Sequence, residues 1–276
     1  MARYRVPEVA WAFAVGDLLA ERVAAGDPAV VYFWTASKTL VLGMQDARLQ
    51  GAKRAAARLY AEGVDVFVRS SGGRAVAIDE GVLNVTVVVP ETGPFRSMDG
   101  SFAWMAEHVR SALKPLGLMV GIGEVRGSFC PGRYDLSVGG KKFAGLAQRR
   151  TRGAVQIQAF VLVEGTGAAR AKVARSFYRF TFGERPIVRP EVMVALAELC
   201  PIDLLAAARI FQRAFVRALV DVPDGQRNAG GPLPEMRVRS VASGSALDVL
   251  KAMHLDLVVT ERLKGQKARS AAALAE

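Results

Sequence analysis

Apolar positions along the chain follow a helical period in some stretches and a strand period in others. Apolar residues at helical spacing predict helices over residues 8–25, 53–62 and 101–113. Runs rich in β-branched and aromatic residues predict strands at residues 29–34, 39–42, 64–68, 83–89 and 154–163. Because strands and helices do not alternate steadily, this order favours an α+β fold over a doubly wound parallel sheet.

Turn and linker signals divide the chain further. Ser37-Lys38 separates the first two predicted strands and indicates that they pair as a hairpin. After Gly165 the pattern becomes helical, and helices are predicted over residues 168–178, 190–199, 202–220 and, near the end of the chain, 245–263. Residues 224–234 are rich in Gly and Pro, which predicts a linker. The chain is therefore divided into a main domain, residues 1–223, and a linker with a C-terminal helical extension, residues 224–276.

Composition indicates a folded domain with acidic partners. The 276 residues are 51% apolar, which is ample for a core, and 37 Lys and Arg against 26 Asp and Glu give a net charge of +11. A chain this basic favours nucleic acid, anionic lipid, nucleotides or acidic proteins as partners. It contains no basic helix, RNA-binding signature or run of stacking aromatic residues, so nucleic-acid binding is not expected. No apolar run reaches the roughly 18 residues of a membrane span, so no membrane association is expected.

The stretch from Gly127 to Arg152 contains the clearest candidate chemistry. Cys130 lies in a Ser-Phe-Cys-Pro-Gly turn, and the tyrosine-led apolar run and Gly-Gly turn that follow predict a β-hairpin. A thiolate is a nucleophile and is favoured near cations. Between Arg126 and Arg152 there are seven Lys and Arg and one acidic residue. Cys130 is therefore a candidate nucleophile; the alternative is a buried cysteine that packs as a small hydrophobic residue.

Two lysines follow the Gly-Gly turn of this hairpin. Successive side chains of a strand point to opposite faces, so at most one of Lys141 and Lys142 is expected to face the cysteine. A lysine in that place could hold an acyl carbonyl, stabilise developing charge on its oxygen and favour the thiolate. The alternative is a solvated lysine in a turn, which is the commoner fate of a lysine.

The remaining cysteine and the histidines indicate neither a metal site nor a disulfide framework. Cys200 lies in an Ala- and Leu-rich helix and is interpreted as a packing residue. His108 and His254 are at no metal-ligand spacing from either cysteine. We therefore expect no metal and no cofactor. A free thiol at Cys130 suits a reducing compartment, so the predicted location is the cytoplasm.

A second glycine-rich turn lies in R-S-S-G-G-R-A-V, residues 69–76. Its glycines allow backbone N–H groups to approach an anion or a carbonyl closely, and Arg69 and Arg74 add positive charge. Taken alone, such a turn more often marks a plain hairpin, and no Walker motif is present in the chain.

In combination with Cys130, three motifs in a fixed order resemble a known superfamily. R-S-S-G-G-R-A-V (69–76), L-N-V-T (83–86) and G-K-K-F-A-G-L-A-Q-R-R (140–150) resemble the lipoate–protein ligases and octanoyltransferases, which are related to biotin protein ligases. The resemblance runs from about residue 10 to residue 165. Within that superfamily, G-S-F-C-P-G-R-Y-D-L-S (127–137) resembles the octanoyl-[GcvH]:protein N-octanoyltransferases, also called lipoyl amidotransferases.

The resemblance implies a fold, two catalytic residues and a set of substrate-binding residues. The implied fold is α+β, with a mixed β-sheet, flanking helices and a hydrophobic acyl tunnel beside the Gly-Gly turn of residues 72–73. The acyl-carrying cysteine of the family corresponds to Cys130, and the lysine before its aromatic-Ala-Gly step corresponds to Lys142. The predicted substrate-binding residues belong to the matching motifs: Arg69, Ser71, Gly72, Gly73, Ala75, Asn84 and Gly145.

The resemblance also implies acidic protein partners. An octanoyl or lipoyl group would pass from the octanoylated H protein of the glycine-cleavage system, through a thioester on Cys130, to a lysine of a lipoyl domain of a 2-oxoacid dehydrogenase. Such carriers and lipoyl domains are usually acidic, which suits a charge of +11. Two alternatives remain on the same fold: transfer from octanoyl acyl carrier protein, and an ATP-dependent lipoate–protein ligase in which Arg69 and Arg74 bind phosphate. Lipoate-activating ligases do not need a cysteine here, so Cys130 favours transfer.

Overall fold

Two β-sheets form the centre of the fold in the computed structural model, which describes residues 8–220. The larger sheet is antiparallel throughout, in the spatial order β1 (Val30–Trp34), β5 (Val82–Pro90), β9 (Ala154–Leu162), β8 (Lys141–Thr151), β7 (Leu136–Val138) and β6 (Val120–Ile122). The smaller sheet has the order β3 (Asp65–Val68), β2 (Thr39–Leu42) and β4 (Val76–Ile78). The predicted linker, the helix predicted over 245–263 and the boundary at residue 223 lie outside the described residues.

Helices cover both sheets, and they are α1 (Glu8–Ala24), α2 (Met44–Ala47), α3 (Ala52–Ala61), α4 (Met98–Leu113), α5 (Gly167–Arg179) and α6 (Leu204–Val220). The α2–α3 segment connects β2 to β3, and a helical crossover of this kind allows two strands to run parallel. β4 returns antiparallel to β2, so the smaller sheet is mixed. The prediction of an α+β fold with a mixed sheet and flanking helices is confirmed, and the mixed pairing lies in the smaller sheet.

Two hydrophobic cores lie on the two faces of the larger sheet. Alternation along β1 sends Tyr32 and Trp34 into the core formed with α1, α3, α5 and the smaller sheet, and it sends Val31 and Phe33 into the core formed with α4 and α6. β5 is buried on both faces from Val82 to Val89. Its mainly apolar sequence is therefore explained by its place between two helical layers.

The predicted hairpin of residues 29–34 and 39–42 is wrong. β1 pairs with β5, where Val31 lies opposite Val87, and β2 pairs with β3 and β4 in the other sheet. The short connection between them carries the chain from one sheet to the other. The local turn signal correctly ended the first strand, but strand pairing is decided by packing against residues that are distant in sequence.

The predicted helix over residues 190–199 is also wrong. The chain forms two short 3-10 turns, Pro190–Val192 and Leu196–Glu198, separated by extended backbone. In that extended part, the N–H of Val194 donates a hydrogen bond to the carbonyl oxygen of Lys142 at 3.0 Å. The carbonyl group of Lys142 in β8 therefore accepts a hydrogen bond from an N–H group that a helix would have satisfied internally.

The hairpin predicted around Gly139 and Gly140 is confirmed. β7 and β8 are antiparallel and are joined by Gly139 and Gly140, which both have positive φ (56° and 74°). Two positive φ values at a two-residue turn are typical of type I′ hairpins and strongly favour glycine. A register irregularity between Leu136 and Ser137 shifts the pairing by one residue before the strand continues.

The structure contains no helix, among the residues it describes, that combines the length and the apolar character needed to cross a membrane.

Candidate active site

The loop that contains Cys130 is closed by one buried carboxylate. Asp135 is 2% exposed, and its Oδ2 accepts hydrogen bonds from the backbone N–H groups of Val125 (3.2 Å) and Gly132 (3.1 Å). Its Oδ1 lies 2.8 Å from Nζ of Lys142, which is 0% exposed. Burial raises the pKa of Asp135, while Lys142 and the two backbone amides act against that rise. Asp135 therefore ties both ends of the loop to the start of β8.

Lys142 contacts the cysteine through the main chain. Its Nζ donates hydrogen bonds to the carbonyl oxygens of Phe129 (3.0 Å) and Cys130 (2.7 Å), in addition to its ion pair with Asp135. An ammonium group has three protons, so these three acceptors use its whole donor capacity. The rings of Phe129 and Phe160 lie within 6.0 Å of the same nitrogen. Lys141, the preceding residue, is exposed, so the two lysines lie on opposite faces, as the strand period predicted.

Cys130 has an unusual backbone conformation. Its φ of 47° lies in the left-handed region, and no other non-glycine residue of the described chain has a positive φ. The left-handed region costs a residue with a side chain roughly 1–2 kcal/mol. Such conformations persist where the surroundings fix them, and they are found often at functional sites. Here the contacts of Lys142 with the carbonyls of Phe129 and Cys130 fix the loop.

The Gly-Gly turn of residues 72–73 faces the sulfur atom of Cys130. The backbone N–H of Arg74 donates a hydrogen bond to Sγ at 3.2 Å, and Nη2 of Arg69 lies 3.8 Å from Sγ. Arg69 is 6% exposed and also donates to the carbonyl oxygens of Gly72 (2.9 Å) and Arg74 (3.0 Å). A main-chain N–H and a guanidinium are groups that stabilise a thiolate. The polar partners of the sulfur, one guanidinium and one backbone N–H, thus come from residues 69–74, about sixty residues earlier in the chain.

A glycine is required at the centre of this turn. Gly73 has a φ of 95°, and a Cβ built there would lie 2.6 Å from Nη2 of Arg69 and 3.0 Å from Sγ of Cys130. Any side chain would therefore occupy the space in which the arginine and the thiol approach each other. Gly72 and Gly73 are exposed at the surface, so the sulfur lies beside solvent-accessible backbone.

Asp46 in α2 and Tyr178 in α5 are buried side chains that hold the residues following the Gly-Gly turn. The hydroxyl of Tyr178 accepts a hydrogen bond from the backbone N–H of Ala75 (3.1 Å) and donates to Oδ2 of Asp46 (3.0 Å). Asp46 is 0% exposed, and its Oδ1 lies 3.3 Å from Nη1 of Arg74. Burial raises the pKa of Asp46, and the hydrogen bonds from Tyr178 and Arg74 oppose that rise. Burial also raises the pKa of Tyr178, so its hydroxyl stays protonated and can donate.

An apolar pocket opens at the sulfur. It is lined by Cys130 and Arg69 at one side and by a set of mainly apolar side chains from α1, β1, β2, β4, β5 and β9: Phe13, Trp34, Val41, Val76, Ile78, Val85, Ala159 and Phe160. Asn84 and Gly145 belong to the same lining. A pocket of this composition suits an alkyl chain with its carbonyl carbon next to the thiol.

Gly145 has no space for a side chain. A Cβ built on it would lie 2.6 Å and 2.7 Å from two ring carbons of Phe160 and 3.0 Å from Cε of Lys142. The residue therefore allows Phe160 and the stem of Lys142 to pack against β8 in the pocket wall. Asn84 is 5% exposed, and its Nδ2 donates to the carbonyl oxygens of Trp34 (3.3 Å) and Val82 (3.4 Å).

Two buried hydroxyls near the site have no hydrogen-bond partner among the described residues. One belongs to Ser71 in the Gly-Gly turn, and the other belongs to Ser128, two residues before the cysteine. They are 5% and 0% exposed. Buried polar groups are normally hydrogen-bonded, so these two hydroxyls are exceptions in the surroundings of Cys130.

All the residues predicted from the motifs therefore lie in one region around Cys130. Arg69, Asn84, Gly145 and Cys130 line the pocket, Gly73 adjoins the sulfur, and Ala75 is held by Tyr178. Lys142 lies behind the cysteine, on its carbonyl side. Gly72 contributes its carbonyl oxygen to Arg69 and is otherwise exposed.

Three residues of the site were missed from sequence: Asp46, Asp135 and Tyr178. Asp135 had one available signal, because it is the only acidic residue between Arg126 and Arg152. Asp46 and Tyr178 are separated by 132 residues, and no local pattern connects them. Cys200 is partly buried in the core formed with α4 and α6, as the packing interpretation expected, and burial raises the pKa of its thiol. Within residues 8–220 no cluster of three or more His, Cys, Asp or Glu could hold a metal ion.

Comparison with known proteins finds a matching family and relatives in sequence. Residues 8–216 match the family described as the lipoyl protein ligase A/B catalytic domain. The octanoyl-[GcvH]:protein N-octanoyltransferase of Geobacillus kaustophilus is 44% identical over 199 residues, which is 70% of each chain. The enzyme of the same name from Bacillus velezensis is 40% identical over 201 residues, again 70% of each chain.

Solved structures with the same fold have much lower sequence identity. A lipoate-protein ligase A bound with ATP superposes with a TM-score of 0.63 at 19% identity, covering 90% of both chains. A bipartite lipoate protein ligase of Thermoplasma acidophilum, from a study of that ligase and its E2 lipoyl domain, gives a TM-score of 0.60 at 19% identity. That superposition covers 92% of this chain and 89% of the other. At this identity the likeness establishes the fold.

Proposed function

Since the chain belongs to the lipoyl protein ligase A/B catalytic domain family, and to the octanoyl-[GcvH]:protein N-octanoyltransferase branch of it, we propose that it transfers octanoyl groups between protein lysines. The donor is the octanoylated H protein of the glycine-cleavage system, and the acceptor is a lipoyl domain of a 2-oxoacid dehydrogenase. The observation that carries this proposal is the position of the Cys130 sulfur, which lies at an apolar pocket and is contacted by Arg69 and by the N–H of Arg74.

The first half of the reaction forms a thioester. The thiolate of Cys130 attacks the octanoyl carbonyl of the donor, the bond from that carbonyl carbon to the donor lysine nitrogen breaks, and the leaving nitrogen takes up a proton. Arg69 and the N–H of Arg74 stabilise the thiolate before attack. The apolar pocket holds the alkyl chain and aligns the carbonyl with the sulfur.

The second half forms the product amide. The unprotonated amine of the acceptor lysine attacks the thioester carbonyl, the carbon–sulfur bond breaks, and one proton is released as the thiolate of Cys130 returns. Donor and product are both amides, so the overall transfer is near thermoneutral and needs no ATP. Little acyl-enzyme should accumulate from an amide donor, because the thioester lies above an amide in free energy.

We propose that Lys142 binds the substrate carbonyl by exchanging one of its present hydrogen-bond acceptors for it. With no substrate bound, its three protons contact Asp135, Phe129 and Cys130. A substrate carbonyl would have to replace one of these acceptors, and the carbonyl oxygen of Cys130, at 2.7 Å, belongs to the residue that becomes acylated. In the resting state the same ammonium group positions the cysteine loop.

The two alternatives are less well supported. The curated relatives carry the name of a transferase that uses octanoylated H protein, so an acyl carrier protein donor and an ATP-dependent ligase are not favoured. The arginines that a ligase would use for phosphate are engaged here: Arg69 with the turn and the sulfur, and Arg74 with Asp46. We further propose that residues 1–223 form the catalytic domain, because the family match ends at residue 216, and that the protein works in the cytoplasm, where a thiol stays reduced.

The test is transfer in a purified system without ATP. Octanoylated H protein and an apo lipoyl domain are incubated with the protein, and intact-mass spectrometry follows the octanoyl group on the acceptor. We expect octanoylation of the acceptor without ATP. Parallel reactions replace the donor with octanoyl acyl carrier protein or with octanoate and ATP. Activity only with octanoate and ATP would support the ligase alternative in place of this proposal. Activity only with octanoyl acyl carrier protein would show that this carrier, and not H protein, is the donor.

A further inference from the structure

We propose that a rim of arginines beside the cysteine loop is the surface on which the lysine-bearing acceptor domain docks, through acidic residues around its lysine. The arginine rim is formed by the end of α5 and the segment that follows it, and its members are Arg175, Arg179, Arg185 and Arg189, with the apolar side chains of Phe182 and Ile187 between them. This inference rests on the proposed function, because it assigns a place to the partner of that reaction.

The arginine rim is attached to both loops that hold the thiol. The backbone N–H of Arg189 donates to the carbonyl oxygen of Gly127 at 2.7 Å, three residues before the cysteine. Nη1 of Arg74, from the turn that faces Sγ, lies 3.4 Å from the carbonyl oxygen of Glu184. Residues 184–189 therefore run along the edge of the site from one loop to the other. A domain bound there would have its lysine close to an acyl group on Cys130.

The charges of the arginine rim are available to a partner. All four arginines are exposed, and no carboxylate of the described chain lies within ion-pair distance of them. Three arginines that lie close to Cys130 in the sequence differ in this respect. Arg133 pairs with Asp99, Arg149 with Asp17 and Arg150 with Glu91, so their charges are largely used within the protein.

Two large apolar side chains stand among these cations. Phe182 is 60% exposed and Ile187 is 77% exposed, and both lie in the segment that borders the thiol site. A single exposed apolar residue needs no explanation, but two within an arginine cluster are typical of an interaction site. Arg175, Arg179, Arg185 and Ile187 line one depression, and its inner wall is Tyr178, the residue that holds the turn facing Sγ. The depression and the thiol site thus share a side chain.

These observations favour an acidic protein over other anionic partners. Arginines steer an oppositely charged partner and fix its orientation, and exposed apolar residues supply contact area. The chain has a net charge of +11, so a neutral or basic acceptor would gain nothing from this surface. The rim is proposed to act on binding of the acceptor, while Cys130 performs the chemistry.

The experiment reverses the charges of two arginines in the rim and, as a control, the charges of two exposed arginines elsewhere. Arg179→Glu with Arg185→Glu changes the rim, and Arg209→Glu with Arg213→Glu makes the same change in charge on exposed positions of α6, across the larger sheet. Transfer to the acceptor domain is measured at several acceptor and salt concentrations. We expect the rim variant to raise the acceptor KM at least tenfold with kcat within twofold, and to reduce the salt dependence of kcat/KM. The α6 variant should stay within twofold of wild type.

Three further measurements separate the possible failures. The rate of alkylation of Cys130 should be unchanged in the rim variant, which shows an intact site, and the Kd of the apo acceptor domain should rise in parallel with KM. If the wild type transfers and the rim variant keeps its KM, the docking proposal is wrong. If the wild type transfers nothing, the proposed function is wrong. Comparing the Kd of the apo acceptor domain for the wild type and the rim variant still tests whether the rim binds that domain. Loss of binding to a short DNA duplex in the rim variant, with unchanged affinity for the acceptor, would assign the rim to nucleic acid instead.

Discussion

Lys142 and Cys130 meet through the cysteine's main-chain carbonyl: Nζ of Lys142 lies 2.7 Å from that oxygen. The sulfur of the same cysteine faces the opposite group of residues, and the N–H of Arg74 reaches it at 3.2 Å. The two partners of Cys130 therefore have separable roles. One fixes the loop and the other contacts the sulfur.

Replacing Cys130 by alanine should abolish transfer, because no thioester can form. We expect a loss of at least about a thousandfold, with an unchanged circular dichroism spectrum. The matched control is Cys200→Ala, which removes the other thiol and should leave the rate near that of wild type. Intact-mass analysis of the acceptor domain measures both. Transfer by Cys130→Ala at the wild-type rate would contradict the thioester mechanism.

Lys142→Ala should reduce both transfer and stability. It leaves Asp135 buried without its cation, which typically costs about 3–5 kcal/mol in the free energy of unfolding. Loss of a carbonyl-binding group reduces transfer by about 10²–10³-fold. Lys141→Ala, at the exposed neighbouring position, should change neither quantity.

The double variant Lys142→Met with Asp135→Asn separates the two effects of Lys142. It removes the buried charge pair while an amide oxygen remains for the N–H groups of Val125 and Gly132. We expect it to recover most of the stability and none of the transfer, as followed by thermal unfolding and by intact mass. Recovery of transfer together with stability would reduce Lys142 to a structural role.

Tyr178→Phe should slow the reaction of Cys130 at neutral pH. The change removes the acceptor for the N–H of Ala75 and the donor to Asp46, so the turn carrying the N–H of Arg74 is held less firmly against Sγ. Loss of one hydrogen bond of typical strength would lower the rate of alkylation by about 3- to 10-fold. The measurement is the rate of iodoacetamide modification in a Cys200→Ser background.

Tyr32→Phe provides the control for Tyr178→Phe. It also removes a buried tyrosine hydroxyl, which donates to the carbonyl oxygen of Ala12 at 2.9 Å, and it does not touch the turn. Both variants should lose a similar amount of stability, and only Tyr178→Phe should change the reactivity of the thiol. Equal alkylation rates in the two variants would show that Tyr178 has no influence on the sulfur.

Gly145→Ala should narrow the acyl pocket. The added methyl group would press on the ring of Phe160 and on the stem of Lys142, and overpacking of this kind costs about 1–3 kcal/mol. We expect octanoyl transfer to fall by at least about tenfold and shorter acyl chains to be affected less. Gly121→Ala, at an exposed position of β6, tests for a general effect of glycine replacement and should be active.

Glu91→Gln should destabilise the protein above about pH 4.5 and matter progressively less below it. The hydrogen bond from Arg150 is the main cause that lowers the pKa of Glu91 below its ordinary value of 4.5. A carboxyl group whose pKa is lowered by folding stabilises the folded state when ionised, and this contribution disappears as pH falls through the lowered pKa. Thermal unfolding of both proteins between pH 7 and about pH 3 measures the effect. A difference in Tm that stays constant down to pH 3 would show that the pair contributes nothing.

Part of the site could be predicted because the signal is local. Gly139-Gly140 specifies a tight turn, and the strand period after it places Lys141 and Lys142 on opposite faces. The family motif then indicated Lys142 as the one that faces the site. The loop sequence around Cys130 and the Gly-Gly turn after Arg69 are contiguous motifs, so their order along the chain identified the family before any contact was known. Helix ends such as that of α3 before Gly63 were found in the same way.

Other features depend on contacts between distant segments, and no local pattern contains them. The pairing of β1 with β5, the extended path of residues 193–195 beside Lys142, and the contact of Asp46 with Tyr178 each join residues that are tens to more than a hundred positions apart. The sequence alone determined which chemical groups are available for the proposed reaction, since a thiol, an ammonium group and a glycine turn are properties of residue types. The tertiary structure decided which of them meet. Packing of the two sheets brings the Gly-Gly turn to the sulfur and directs the lysine to the backbone behind it.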